Sequence, residues 1–385
     1  MNRRLKRWLL GLLVALAVAG AAVVIGQPRA ARQSADFNVG YSAALLIREG
    51  RISAPYDQPA LATMLVRTAG PAIDQRLSYN QPLAADLPFL ALSLLAVELA
   101  FHVWQVISLG ILVLTVVVLQ RALPLPKGAP AIALLALLGS VPLWATLTEG
   151  QVTPLLALGA ALVILALVSD GALAAAAGGA LLAFKPHYLP AFLILLFAAR
   201  RWRLFASAAA ASLVFLLSPL AAGGVDGMVA MVHSAFRAND LVSVARSEAW
   251  IGMLAPVIPA GLASAVSVVI FGLGLAFLFA IALRRPAWPA FAVLAGLTAV
   301  LESPHALPHD LLILAGPAWL AFQLHRQGRM PSPVVPLLLL DAALLLDQRA
   351  VGVVLGPVVM TAMIVWGWQS VRRRTDRRRA PAAAA

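Results

Sequence analysis

The chain contains no cysteine. That absence excludes disulfide frameworks, thiolate nucleophiles and cysteine-ligated metals. Charge is almost as scarce. Asp, Glu, Lys and Arg make up 12% of the 385 residues, against roughly 25% in soluble domains. No polar stretch is large enough to form the cytoplasmic domain that a soluble nucleotide-sugar site requires. What abounds is apolar. Hydrophobic residues make up 62% of the chain, and runs near the 20-residue length of a bilayer span recur from end to end. The predicted fold is all-α: a polytopic transmembrane helical bundle forming a single membrane domain over 1–385. A β-barrel would show short alternating segments instead.

The net charge of +13 raises nucleic acid as a partner, but its distribution argues for a lipid bilayer. Arginines gather at Arg3-Arg4, Arg200-Arg201-Arg203, Arg284-Arg285, Arg326-Arg329 and Arg372 to Arg379, each beside an apolar run. This is the positive-inside pattern of cytoplasmic loop ends, not a basic patch for nucleic acid. The N-terminus has a basic start and an Ala-rich core, so cleavage near Ala30-Ala31 is one reading. Its apolar run is long for a signal peptide, which favours an uncleaved first span.

With both termini cytoplasmic, the first span runs from Trp8 to about Gly26 and delivers a long loop, 27–83, to the outer face of the cell's inner membrane. Within that loop, 36–50 carries Phe37, Tyr41, Ala44 and Leu45 at helical spacing and ends at Gly50, which predicts a helix lying on the membrane surface. The block 84–120 is read as a re-entrant or tilted segment, 84–98, followed by one span, 100–120, so that Arg121 and Lys127 end up in the cytoplasm. Later spans are expected at 131–147, 152–169, 171–185, 188–199, 204–222, 255–283, 288–302, 309–325, 332–347 and 350–369. The total is about 12. Segment 223–254 is expected as a second external loop packing over the first, and the tail 370–385 as cytoplasmic and disordered.

This topology gathers the unusual polar residues on one face. Asp36, Glu149-Gly150-Gln151, Lys185-Pro186-His187, His233, Arg237, Asp240 and Glu302 to Asp310 all fall outside. Ionisable residues at membrane depth are functional candidates by default. Asp36 is suited to take a proton from an alcohol; its plainer reading is a helix N-cap or a solvated charge. Lys185, His187, Arg237, His305 and His309 are suited to hold an anionic phosphate, while Lys185 has snorkelling as its plainer reading. His305 and His309 stand at ligand spacing on a helix, but Pro308 between them argues against a continuous helix, and no metal or other cofactor is expected. Gln151 either caps a turn or holds a sugar hydroxyl. Tyr79-Asn80-Gln81-Pro82 reads first as a turn. Glu98 and Asp341 have no role in this scheme.

The motifs occur in a telling order: Asp36 after the first span, Tyr79-Asn80-x-Pro82-Leu83, Trp104, Gly150-Gln151, Gly179 to Lys185-Pro186, then Ser303-Pro304-His305 and His309-Asp310. The chain thereby resembles glycosyltransferase family 87, a GT-C group that includes polyprenol-phosphate-mannose-dependent mannosyltransferases. It departs from that pattern at Gln81-Pro82, where Pro-Pro is common, and in an Asp36–Tyr41 spacing one residue longer. The resemblance implies a GT-C fold, an extracytoplasmic active site and metal-independent, inverting transfer. The donor would be a polyprenyl-phosphate sugar carrying a hexose or pentose, mannose foremost, and the acceptor an extracytoplasmic glycan or glycolipid. Asp36 would be the general base. Lys185 and His309-Asp310 would lie near the donor phosphate, with Tyr41, Tyr79, Asn80, Gln151 and Asp310 as substrate contacts. Two rivals share the polar face: a transporter or flippase of lipid-linked sugar, and a non-catalytic polyprenyl-phosphate-binding partner.

Overall fold

A computed structural model describes residues 3–27, 36–241, 247–254, 257–259, 262–347 and 355–365. The Ala30-Ala31 region and the tail 370–385 lie outside the described residues. Those described form helices and turns, with no strand among them.

Helix α1 (Arg3–Ile25) leads to α2 (Phe37–Arg48) and α3 (Gln58–Ala69). A short α4 (Leu87–Leu92) precedes the long α5 (Val97–Ala122). Then come α6 (Ala129–Leu138), α7 (Val141–Glu149), α8 (Thr153–Ser169), α9 (Ala172–Leu182), α10 (Leu189–Ala198) and α11 (Trp202–Leu216). The remainder comprises α12 (Ser218–Leu241), α13 (Trp250–Leu254), α14 (Ala263–Leu283), α15 (Trp288–Leu301), a 3₁₀ helix (Pro308–Leu314), α16 (Ala315–Arg326), α17 (Val334–Asp347) and α18 (Gly356–Val365).

Three segments are long and apolar enough to cross a membrane: α5, Trp202–Ala221 and α14. A fourth is the pair α6–α7 taken as one broken span, bent by 56°. These segments lie at the periphery and turn bare apolar side chains outward. Val106 on α5, Val214 on α11 and Leu273 on α14 are 69%, 74% and 66% exposed. Hydrocarbon contact suits such a surface, and water does not. The shorter helices fill the interior. On α15 every residue from Ala290 to Leu301 is buried, and α8 is buried along most of its length. A helix that is apolar all round belongs in such a core.

Close approach there depends on small residues. A Cβ on Gly178 would lie 2.9 Å from the Gly159 carbonyl oxygen, and one on Gly179 would lie 2.6 Å from that of Ala208. These glycines let α8, α9 and α11 pack backbone against backbone.

The block 84–120 holds a 3₁₀ turn (Leu83–Asp86), the six-residue α4 and only one helix of spanning length. Helix α2 is not a surface helix. Phe37, Asn38, Gly40, Tyr41, Ser42, Ala43, Ala44 and Leu46 are buried on several of its sides, because α3, α4 and α5 enclose it. Segment 223–254 is largely helical, since α12 runs through a break at Gly223-Gly224 where Gly224 takes φ 58°. It does pack over the first loop: Ser234 Oγ donates to the Tyr79 carbonyl oxygen at 2.6 Å, and Ala84 N–H donates to Ser218 Oγ at 2.9 Å. Asp341 gains a role, since its Oδ1 accepts the Val141 N–H at 2.8 Å and caps the start of α7.

Gly179→Ala should drive a methyl into the α11 backbone and cost about 1–3 kcal/mol through overpacking. The expected result is a Tm several degrees lower in detergent, followed by intrinsic tryptophan fluorescence. An unchanged Tm would show that α9 and α11 are not held at this separation.

Candidate active site

The site is assembled from four turns at one end of the bundle. The first is the start of α2. Asp36 takes the N-cap position with helical dihedrals, φ −61° and ψ −22°, yet its side chain makes no capping hydrogen bond. The carboxylate is therefore available to other partners. Gln151 supplies one, its Nε2 donating to Asp36 Oδ2.

Gln151 comes from the second turn, which closes α7. Gly150 there adopts a left-handed conformation, φ 63°. A Cβ on it would meet Phe37 Cβ at 2.6 Å and the Phe101 ring at 2.9 Å. Glycine is thus required both for the dihedral and for space. Trp104 Nε1–H donates to the Gly150 carbonyl oxygen at 2.9 Å and ties the turn to α5. Glu149, half-buried on the other side of Gly150, accepts a hydrogen bond from the Asp36 backbone N–H.

The third and fourth turns meet in an ion pair. Lys185, between α9 and α10, places its Nζ 2.5 Å from Asp310 Oδ1, with side chains 12% and 1% exposed. Asp310 Oδ2 accepts the Leu307 N–H at 3.0 Å, which locks the carboxylate to the start of the 3₁₀ helix. His309 Nε2 lies 3.4 Å from Lys185 Nζ. That 3₁₀ helix runs seven residues, all buried, where three or four are usual. The fully buried Tyr188 brings its hydroxyl against Asp310 and Ser303. The His187 and His305 rings pack with centroids 5.4 Å apart and planes tilted by 54°, and His187 Nε2 is buried with no hydrogen-bond partner among the described residues.

Electrostatics joins the halves. Burial pushes the Asp36 carboxyl above its ordinary 3.8; Lys185 and the Gln151 amide oppose that rise, and Asp310 adds to it. Burial lowers His187 well below the usual 6.5 and lowers His305 as well. Both rings are therefore neutral near pH 7 and act as hydrogen-bonding groups rather than cations.

The structure thus brings together Asp36, Gln151, Lys185, His187, His305, His309 and Asp310. Three expected substrate contacts stand apart. Tyr41 donates to the Leu95 carbonyl oxygen at 2.7 Å. Tyr79 donates to that of Pro82 at 3.1 Å, within a separate apolar cluster with Tyr56 and Met64. Asn80 is half-buried. Among the described residues, no hydrogen bond or ion pair joins these three to Asp36 or Lys185. Arg237 lies on α12 with its side chain outside the described residues, and His233 is exposed. Glu149, Tyr188 and Ser303 carried no role in the sequence reading. Tyr188 did leave one signal, being the only tyrosine after residue 79.

A family model for glycosyltransferase family 87 matches residues 79–304, more than half of the chain. The chain belongs to that family. It is thereby a GT-C superfamily member and a glycosyltransferase, and its apolar helices make it a multi-pass membrane protein. No curated protein and no solved structure matches the chain. The stretch matched to family 87 contains Gln151, Lys185 and His187, while Asp36, His305, His309 and Asp310 flank it.

Removing one partner of a buried ion pair strands the other charge, at about 3–5 kcal/mol. Asp310→Ala and Lys185→Ala in this family 87 enzyme are each expected to lower Tm by that scale. The apolar double change Lys185→Met with Asp310→Leu should recover most of it. Tm values that add across the two single changes would contradict the pairing.

Proposed function

We propose that the protein is an inverting glycosyltransferase that moves a sugar, mannose foremost, from a polyprenyl-phosphate donor to a hydroxyl of an extracytoplasmic glycan or glycolipid. The observation that carries this reading is the convergence of an uncapped carboxylate, Asp36, with the buried Lys185–Asp310 pair in one site of a family 87 chain. Asp36 takes the proton of the acceptor hydroxyl. The oxygen so freed attacks the anomeric carbon from the face opposite the phosphate. The new carbon–oxygen bond forms as the anomeric carbon–phosphate oxygen bond breaks, and polyprenyl phosphate leaves with the electron pair.

Lys185 has three N–H donors. One is held by Asp310, which leaves others for the phosphate oxygens, and this makes Asp310 an orienting group for Lys185. Neutral His187, His305 and His309 add hydrogen bonds without adding charge. The Gly150 turn holds Gln151 on Asp36, so Gln151 serves the base more directly than it serves a sugar hydroxyl.

The proposal includes an orientation: inner membrane, about 12 crossings with several short helices lining the core, termini in the cytoplasm and the site outside. The arginine clusters support it. A reporter fused after Arg121 is expected in the cytoplasm, and an external reading would reverse the topology.

The deciding assay is transfer from radiolabelled polyprenyl-phosphate mannose, arabinose and glucose by purified wild type and Asp36→Asn. Loss of a general base typically slows reaction by about 10²–10⁴-fold, and that drop is expected for Asp36→Asn. Asp36 works ionised, so activity is full at higher pH and falls as pH drops through its raised value. The acid limb of kcat/KM should accordingly lie above the ordinary 3.8. Wild-type transfer rates in Asp36→Asn would remove Asp36 from the base role.

A further inference from the structure

The acceptor oxygens of the site are largely committed, whereas its donors are not. Asp310 gives Oδ1 to Lys185 and Oδ2 to the Leu307 N–H. Asp36 Oδ2 takes the Gln151 amide. Ser303 Oγ donates to the His305 carbonyl oxygen. Lys185, in contrast, has N–H groups beyond the one held by Asp310. The Tyr188 hydroxyl oxygen and His187 Nε2 are both buried, and neither has a hydrogen-bond partner among the described residues. A buried polar atom left unpartnered bears its full desolvation cost, so two on adjacent residues call for a physical account.

Both belong to the turn that carries Lys185. The Tyr188 N–H donates to the Lys185 carbonyl oxygen at 3.1 Å and closes Lys185-Pro186-His187-Tyr188, and the Leu189 N–H follows on the Pro186 carbonyl oxygen at 3.3 Å. The His187 ring lies 4.2 Å from the Tyr188 ring and 5.4 Å from the His305 ring, centroid to centroid. Lys185 Nζ meets Asp310 and stands 3.4 Å from His309 Nε2. One four-residue turn thus grips the 303–310 segment through both Lys185 and His187, and the fully buried Tyr188 ring packs on His187 at that contact. Its hydroxyl is near enough to Ser303 and Asp310 to interact electrostatically, yet makes a well-formed hydrogen bond to neither.

We propose that the Tyr188 hydroxyl is a further substrate contact: it donates to a phosphate oxygen of the lipid-phosphate donor, beside the Lys185 ammonium. This rests on the transferase reading for the identity of the phosphate, but not for an anion contact at the turn. Phosphate oxygens only accept, so they match a set of unspent donors; His187 joins that set in the tautomer protonated at Nε2. A sugar hydroxyl also brings a donor, and the acceptors that would receive it are already engaged. The Lys185 side chain is 12% exposed, which leaves the turn open to approach. Negative charge grows on the phosphate as the anomeric bond breaks, so a fixed neutral donor there acts more strongly in the transition state than in the ground state.

The test uses full-length protein in lipid nanodiscs and compares wild type with Tyr188→Phe, which removes the hydroxyl and keeps the ring. The probes are sugar-free polyprenyl phosphate, polyprenyl-phosphate mannose and neutral polyprenol. A hydrogen bond to a charged group corresponds to a loss of about 10- to 100-fold. The Kd of both phosphates should weaken by that factor, and polyprenol binding should not change. The Tm of the unliganded protein should hold or rise, because the hydroxyl removed has no partner there. An unchanged Kd for polyprenyl phosphate overturns the proposal, and so does a loss confined to the sugar-bearing donor. If Tm and affinity fall together, carbon-13 labelling of tyrosine Cζ in wild type decides. The chain has four tyrosines, so Tyr188 is assigned by elimination through Tyr41→Phe, Tyr56→Phe and Tyr79→Phe. A Tyr188 resonance that moves with polyprenyl phosphate but not with polyprenol supports the contact, and one that stays put overturns it. Phosphate binding that depends on Tyr188 in a wild type transferring no sugar sinks the transferase reading and leaves the contact in place.

Discussion

An ammonium and a carboxylate 2.5 Å apart, almost wholly buried inside an apolar helical bundle, set the terms for everything around them. Neither charge is tolerable there alone. Each therefore depends on the turn that carries the other, and the α9–α10 turn cannot shift without the start of the 3₁₀ helix. Those turns also bring in His187, Tyr188, His305 and His309. Replacing such pairs with apolar residues is often neutral or stabilising in proteins. Stability by itself therefore gives little reason for Lys185 and Asp310, whereas a phosphate oxygen that needs a pre-oriented donor gives a good one.

How much of this was legible in the sequence depends on whether the information was local. The apolar runs, the arginine clusters and the one-sided gathering of polar residues are local patterns, and they led to an all-helical membrane bundle with Asp36, Lys185 and His309-Asp310 on one face. The single long helix within 84–120 was expected from placing Arg121 at a cytoplasmic end, and one helix of spanning length, Val97–Ala122, is found there. Partner choice was harder to read. Tyr41 and Tyr79 look like substrate contacts in a polar loop, but each spends its hydroxyl on a backbone carbonyl. Helix α2 looked like a surface helix because its apolar stripe has the right period; what buries its other sides is α3 and α4, which no periodicity in 36–50 announces. Asp341 shows the same limit from the other direction, since its partner at Val141 is 200 residues away in sequence.

Burial also changed the chemistry expected of the histidines. On the sequence alone four of them crowd the outer face and suggest a cationic cradle. The His187 ring packs against Tyr188 and His305, and desolvation disfavours the imidazolium at His187, His305 and His309. In the proposed mechanism a departing phosphate therefore meets, among the described residues of the site, the Lys185 ammonium and several neutral hydrogen-bond partners. In a low-dielectric site one well-placed cation has a large effect, and further fixed cations would bind the phosphate product as tightly as the transition state.

The proposed role also explains why Asp36 is not used as a helix cap. Aspartate at an N-cap usually accepts from the first-turn N–H groups, which stabilises its ionised form and weakens it as a base. Asp36 keeps the position but has helical dihedrals and no capping bond, and its carboxylate turns to Gln151 instead. The helix N-terminus, Lys185 and Gln151 all favour ionisation, while burial and Asp310 resist it. The proposed mechanism asks a carboxylate both to be ionised when the acceptor arrives and to hold a proton once it has one, and opposing influences of this kind serve both ends. A solvated aspartate meets only the first requirement, and a fully desolvated one only the second. The half-buried seat at the edge of the bundle, reached by placing α2 under the α7 turn, meets both.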